Sequence, residues 1–119
     1  MTRVLVSGSR SWRKNDLVKA RMIELDKQLP GPITLVVGEA RGVDTVAAQV
    51  AKRLGWKVEV HKADWKNKGR GAGMIRNQEM VLSRPHLGLF FIRKNSPGAS
   101  GCLKLAMRFG VPAWVWRDD

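Results

Sequence analysis

The feature that most constrains this chain is a regular alternation of short apolar runs with helical patterns. The apolar runs predict five strands, at Val4–Val6, Ile33–Val37, Lys57–His61, Leu87–Ile92 and Ala113–Trp116. Strands that alternate with helices indicate a parallel sheet covered on both faces. The sequence therefore predicts an α/β fold, a three-layer, Rossmann-like open sheet of about five strands. With 119 residues, the chain suits one domain over positions 1–119.

The helical patterns differ in strength. Val18, Met22, Leu25 and Leu29 lie on one helical face, and Asn15 is the expected N-cap of that helix. The strongest stripe runs from 43 to 54, and a weaker one from about 72 to 83. A short helix is expected from about 103 to 110. The segments 62–73 and 93–101 are polar and glycine-bearing, so we predict loops there.

Three strand-to-helix turns contain phosphate-binding chemistry. In a parallel sheet of this kind, ligands lie beyond the carboxyl ends of the strands. The first turn, 7–11, combines the flexible backbone of Gly8 with the hydroxyl of Ser9 and the guanidinium of Arg10. The third, 95–101, has small side chains that leave backbone amides uncovered, and Gly101 is expected at a helix start.

The second turn, 38–44, opens the strongest helix. The positive end of a helix dipole there favours an anion, and Arg41 adds a full positive charge. We expect Arg41 to contact the ligand. Asp44 has two interpretations, as a helix cap or as a group that accepts from a ribose hydroxyl or orients Arg41.

The sequence leaves two roles open for Trp65 and two for Asn77. Trp65 either stacks on a base or fills the core. Asn77 either reads a base edge or pins a loop, next to Arg76 early in the third long helix.

Charge and composition narrow the partners. A formal net charge of +12 concentrates anions, so a nucleotide or nucleotide-derived small molecule is expected and nucleic acid is possible. No apolar run reaches the length of a membrane span, and we expect a cytoplasmic protein without membrane contact.

His61 and His86 are far apart in the sequence and have no other candidate metal ligands beside them, so no metal is expected. No cofactor is expected either. The lone Cys102 is expected to be a packing residue, although its place near a helix start favours a lowered pKa. A homo-oligomer remains open.

The three turns, Trp65 and the Arg76-Asn77 pair together resemble the SLOG superfamily, which includes DprA and the LOG-type nucleotide phosphoribohydrolases. The resemblance is strongest to the small stand-alone YspA-related branch of that superfamily. The resemblance spans nearly the whole chain and implies a nucleotide-derived ligand. The candidate ligand-binding residues are Gly8, Ser9, Arg10, Gly38, Glu39, Arg41, Gly42, Asp44, Asp64, Trp65, Arg76, Asn77, Ser96, Pro97, Gly98, Ser100 and Gly101.

One departure from the LOG-type pattern bears on catalysis. Those enzymes carry a catalytic Glu where this chain has Leu105, and the threonine of their glycine-rich turn is also missing. A carboxylate from elsewhere is then needed, with Glu79 and Asp44 as the candidates. We therefore expect a binding module, with a phosphoribohydrolase or nucleosidase and a single-stranded nucleic-acid binder as the alternatives.

Overall fold

The computed structural model describes residues 1–118, which form a parallel sheet between two layers of helices. The strands are β1 (Thr2–Gly8), β2 (Ile33–Val37), β3 (Lys57–Val60), β4 (Leu87–Arg93) and β5 (Ala113–Asp118). The helices are α1 (Asn15–Gln28), α2 (Val43–Arg53), α3 (Trp65–Lys68), α4 (Ala72–Leu82) and α5 (Pro97–Arg108), with a 3₁₀ turn at Gly69–Gly71. The predicted α/β fold is confirmed.

The strand order is β3-β2-β1-β4-β5, and every neighbouring pair is parallel. The order reverses between β1 and β4, which is where open sheets of this type leave a crevice. β1 and β4 are held together from Val4 opposite Leu87 to Gly8 opposite Phe91. The loops that follow these two strands therefore flank the crevice.

Two apolar cores cover the two faces of the sheet. Val18, Met22 and Leu25 of α1 pack with α2 against one face, where Phe91 also lies. Met80 of α4 packs with α5 against the other face. β2 is buried along its whole length, and helices on both sides of the sheet explain its mostly apolar sequence.

Three predictions about the helices were wrong: the N-cap of α1, the absence of a helix from 62–73 and the start of α5. Lys14, not Asn15, is the N-cap of α1, and no side chain bonds to that helix start. The segment predicted as a loop over 62–73 contains α3, which begins because the side chain of Asp64 accepts a hydrogen bond from the Asn67 backbone N–H at 3.3 Å.

The third correction concerns α5, which begins at Pro97 and not near residue 103. Proline suits the first helical position because its fixed φ is helical and it has no N–H to leave unpaired. Gly101 therefore lies in the second turn of α5 and not at its start.

Among the described residues, no helix is both long and apolar enough to cross a membrane.

Candidate functional site

A cleft of about 460 Å³ lies at the carboxyl edge of the sheet, beside the crevice between β1 and β4. It is lined by Gly8, Ser9, Arg10, Ser11, Ala40, Asp44, Trp65, Arg70, Gly73, Met74, Arg76, Asn77, Ser96, Pro97, Gly98 and Ala99. Its size is within the range that holds small ligands. The three glycine-bearing turns predicted to share this edge all contribute to the cleft.

The turn after β1 is fixed by contacts with the end of β4. A Cβ on Gly8 would lie 2.8 Å from the Phe91 carbonyl oxygen, so only glycine allows this approach. The hydroxyl of the buried Ser9 accepts from the Arg93 backbone N–H at 2.8 Å and contacts the Ser96 hydroxyl. Ser9 therefore joins two walls of the cleft, and its hydroxyl is already engaged.

The turn after β2 needs glycine at position 42. Gly42 has a φ of +81°, and a Cβ there would lie 2.8 Å from the Arg10 carbonyl oxygen. No side chain caps α2 at this residue. The start of α2 thus supports the turn that carries Arg10, whose side chain is exposed and lines the cleft.

Asp44 is the one carboxylate that the described residues contribute to the cleft wall. One of its oxygens accepts a hydrogen bond at 3.0 Å from the backbone N–H of Ala40, which precedes α2. The interpretation of Asp44 as a helix cap is therefore wrong, since its carboxylate fixes the turn before α2 and no side chain caps that helix. Burial raises the pKa of Asp44 from its ordinary 3.8 to about 6, although the Ala40 N–H and the charges of Arg76 and Arg10 act in the opposite direction. A buried carboxyl group with such a pKa titrates close to neutral pH.

A short chain of hydrogen bonds positions Arg76. Its Nε donates to Oδ1 of Asn77 at 2.9 Å, and Nδ2 of Asn77 donates to the Gly98 carbonyl at 3.3 Å. Asn77 is 5% exposed and binds the first turn of α5 through this bond, while it also lines the cleft. Its contact with a base stays a prediction. The bare Cα of Gly38 leaves space for the guanidinium, because a Cβ there would lie 2.6 Å from a terminal nitrogen of Arg76.

The mouth of the cleft is formed by α3, the 3₁₀ turn and the start of α4. Trp65 is 50% exposed, which excludes the interpretation of it as a core residue. The ring lies against Gly73, where a Cβ would be 3.2 Å from it. Arg70 and Met74 complete this side of the cleft. An indole with an accessible surface and a neighbouring cation is well suited to a base that carries phosphate.

Several predicted site residues lie outside the cleft wall. Glu39 and Arg41 are exposed on the turn after β2, and Asp64 caps α3. Glu79 is exposed on α4 and does not line the cleft. Ligand contact by these residues stays a prediction.

Six lining residues were absent from the predicted set, namely Ser11, Ala40, Arg70, Gly73, Met74 and Ala99. Helical spacing gave a usable signal for two of them, since Gly73 precedes Arg76 by three residues and Met74 precedes Asn77 by three. Arg70 lies in the 3₁₀ turn, which is part of the segment that the sequence predicts to be a loop.

Cys102 lies beneath the cleft rather than in it. It is fully buried in the core between α5 and the sheet, and burial raises the pKa of its thiol to about 11. Because α5 begins five residues earlier, the expected lowering of this pKa by a helix start does not apply. Cys102 is a packing residue.

The fold and the cleft together define a Rossmann-like α/β domain with a cationic cleft at the point where its strand order reverses. Residues 2–67 match the model of the YspA, cpYpsA-related SLOG family, and the chain belongs to that family. It is 35% identical to the Gene 61 protein of Mycobacterium phage D29 over 123 residues, covering 99% of this chain and 98% of the phage protein.

A solved structure shares the fold. DNA processing protein A (DprA) from Streptococcus pneumoniae superposes with a TM-score of 0.79 at 18% sequence identity. The match covers 97% of this chain but only 50% of the DprA chain, so this chain corresponds to half of that protein. At this identity the comparison establishes the architecture.

Proposed function

We propose that this protein binds a phosphate-bearing nucleotide or nucleotide-derived signalling ligand in the cleft. The observation that carries the proposal is the position of Arg76, whose guanidinium is held by Asn77 over the bare backbone of Gly38. A planar, permanently charged group that is fixed in a concave site is a good partner for a phosphate.

The cleft offers a role for each part of such a ligand. Arg10, Arg70 and Arg76 supply positive charge for the phosphates. Trp65 supplies an aromatic face for the base. Asp44 supplies a carboxylate that accepts from a ribose hydroxyl.

A hydrolytic alternative rests on Asp44. It is buried, lines the cleft and has a raised pKa, which are the properties of a general acid or base. Glu79, the other candidate carboxylate, is exposed outside the cleft wall. Incubation with a panel of nucleoside monophosphates separates binding from hydrolysis, because only a hydrolase releases free base and loses that activity in Asp44→Asn.

Single-stranded nucleic-acid binding is the second alternative, favoured by the net charge of +12 and by the shared fold with a DNA processing protein. Its signature is an affinity that falls steeply with salt, with a slope of about 0.7 per phosphate contact on single strands. A small nucleotide that binds through one or two phosphates gives a shallow slope.

The direct test of the proposal has two parts. Mass spectrometry of the purified protein under native conditions identifies any nucleotide that co-purifies with it. Calorimetric titration with a panel of nucleoside mono-, di- and triphosphates then compares the parent with Arg76→Ala and with Arg41→Ala. Charge-assisted bonds contribute about 1.5–3 kcal/mol, so Arg76→Ala is expected to weaken binding about tenfold or more.

Arg41→Ala tests the other predicted phosphate contact, because Arg41 is exposed on the turn after β2 outside the cleft wall. Arg53→Ala is the matched control, because it removes the same charge from an exposed position in the last turn of α2. A larger loss from Arg41→Ala than from Arg76→Ala would place the phosphate at the start of α2 instead. No binding by any nucleotide in the panel would reject the proposal.

A further inference from the structure

A second cavity of about 720 Å³ runs along α5 and opens directly beside the cleft. It is a groove lined by Met74, Asn95, Pro97, Ser100, Gly101, Leu103, Lys104, Met107 and Arg117. Met74 and Pro97 line both the cleft and the groove. The cleft and the groove are therefore adjacent, so a ligand with two connected parts can contact both.

The polar lining of the groove suits a second anionic group. Lys104 and Arg117 contribute two positive charges, and the lining includes no acidic side chain among the described residues. The Arg117 guanidinium is oriented by a hydrogen bond to Oδ1 of Asn95 at 3.0 Å.

The apolar lining of the groove adds surface for a ring. Met107 is 67% exposed and Met74 is 48% exposed, so both offer apolar surface to a ligand in the groove. Leu103 adds further apolar surface to the wall. Flexible thioether side chains adapt to flat aromatic partners, so the groove has both a cationic and an apolar component.

We infer that the groove is a second nucleotide subsite, and that the ligand consists of two nucleotide units joined through phosphate. The cleft holds the first unit. The linking phosphate passes Met74 and Pro97, and Lys104 and Arg117 bind the second unit. The inference rests on the proposed function of the cleft. It also gives Ser100 and Gly101, which lie outside the cleft wall, a place in a ligand site.

The test compares mononucleotides with 5′-phosphorylated dinucleotides of the same bases, using calorimetry on the full chain. The variants are Lys104→Ala combined with Arg117→Ala, and a control in which Lys52→Ala removes an exposed charge from α2 on the other face of the sheet. We expect the dinucleotide to bind the parent at least about tenfold more tightly than the mononucleotide, since it adds a charge-assisted contact. The double variant should lose most of that gain, keep the mononucleotide affinity, and differ from the Lys52→Ala control.

The outcomes separate this inference from the proposed function. If mononucleotides bind but dinucleotides bind no more tightly, and the double variant changes nothing, the second subsite is rejected while the cleft stands. If neither probe binds, the proposed function itself fails. Longer oligonucleotides distinguish the source of the ligand: an affinity that levels off at two units indicates a free dinucleotide, and one that keeps rising indicates a single strand entering by the same two subsites.

Discussion

Replacing Asp44 with Asn is expected to stabilise the protein at neutral pH. The carboxylate is buried in the cleft wall, and burial raises its pKa from 3.8 to about 6 in spite of Arg76, Arg10 and the Ala40 N–H. One pKa unit corresponds to about 1.4 kcal/mol, so holding the charged form in the folded protein costs about 3 kcal/mol near pH 7. Asparagine is nearly isosteric, carries no charge and still accepts from the Ala40 N–H.

The expected pH dependence follows from the direction of the shift. Because the folded state has the higher pKa, it binds the Asp44 proton more tightly than the unfolded chain does. This contribution is favourable below about pH 4 and is lost as the pH rises through about 6. The advantage of Asp44→Asn should therefore be small near pH 4 and approach about 3 kcal/mol near pH 7.

Urea unfolding of the parent and Asp44→Asn across this pH range measures the effect, provided that both unfold in a single transition. Asp16→Asn, at an exposed position in the first turn of α1, controls for the loss of any surface carboxylate. The reasoning is refuted if Asp44→Asn is less stable than the parent near pH 7 and the deficit shrinks as the pH falls. That result would mean that attraction to Arg76 and Arg10 outweighs the cost of burial.

Three further predictions follow from the walls of the site. Gly42→Val should lower both stability and nucleotide affinity, since φ is +81° and the new side chain meets the Arg10 carbonyl; circular dichroism melting and calorimetry check this. Gly38→Ala should weaken nucleotide binding, because the added methyl would lie 2.6 Å from a terminal nitrogen of Arg76 and 2.8 Å from an Asp44 carboxylate oxygen, so these side chains must shift; calorimetry checks this, and an affinity equal to that of the parent would count against a role for Arg76. Cys102 should react with an aromatic disulfide reagent only after denaturant is added, as its thiol is buried and its pKa is about 11.

The architecture was predictable from the sequence because the spacing of apolar residues along a strand or helix indicates which of its faces are buried. The largely β-branched sequence of β2 is typical of a strand covered on both faces, and both faces are covered. The alternating pattern of β3 indicates an edge strand, and β3 lies at one edge of the sheet. The helix boundaries were less predictable, since α5 begins at Pro97 by virtue of proline geometry and not of an apolar stripe.

The site was predictable in its loops and less so in its details. Parallel strands bring their following turns to one edge, which places Gly8 near Gly98 without further information. Which side chains face the cleft depends on contacts distant in sequence, such as the bond between Asn77 and the Gly98 carbonyl. For the same reason, the sequence around Arg41 predicts a ligand contact although Arg41 lies outside the cleft wall. Arg70 was not among the predicted ligand-binding residues, and it lies in the cleft wall.

The central claim, that the cleft binds a phosphate-bearing nucleotide, is tested most directly by amide and indole chemical-shift mapping during titration with the tightest nucleotide of the panel. The account predicts saturable shifts at the Gly8 and Gly98 amides, the Trp65 indole and the Asn77 side chain, with none at Gly55 beyond the C-terminal end of α2. Shifts that cluster away from these groups, or that scatter over the basic surface without saturating, would contradict it.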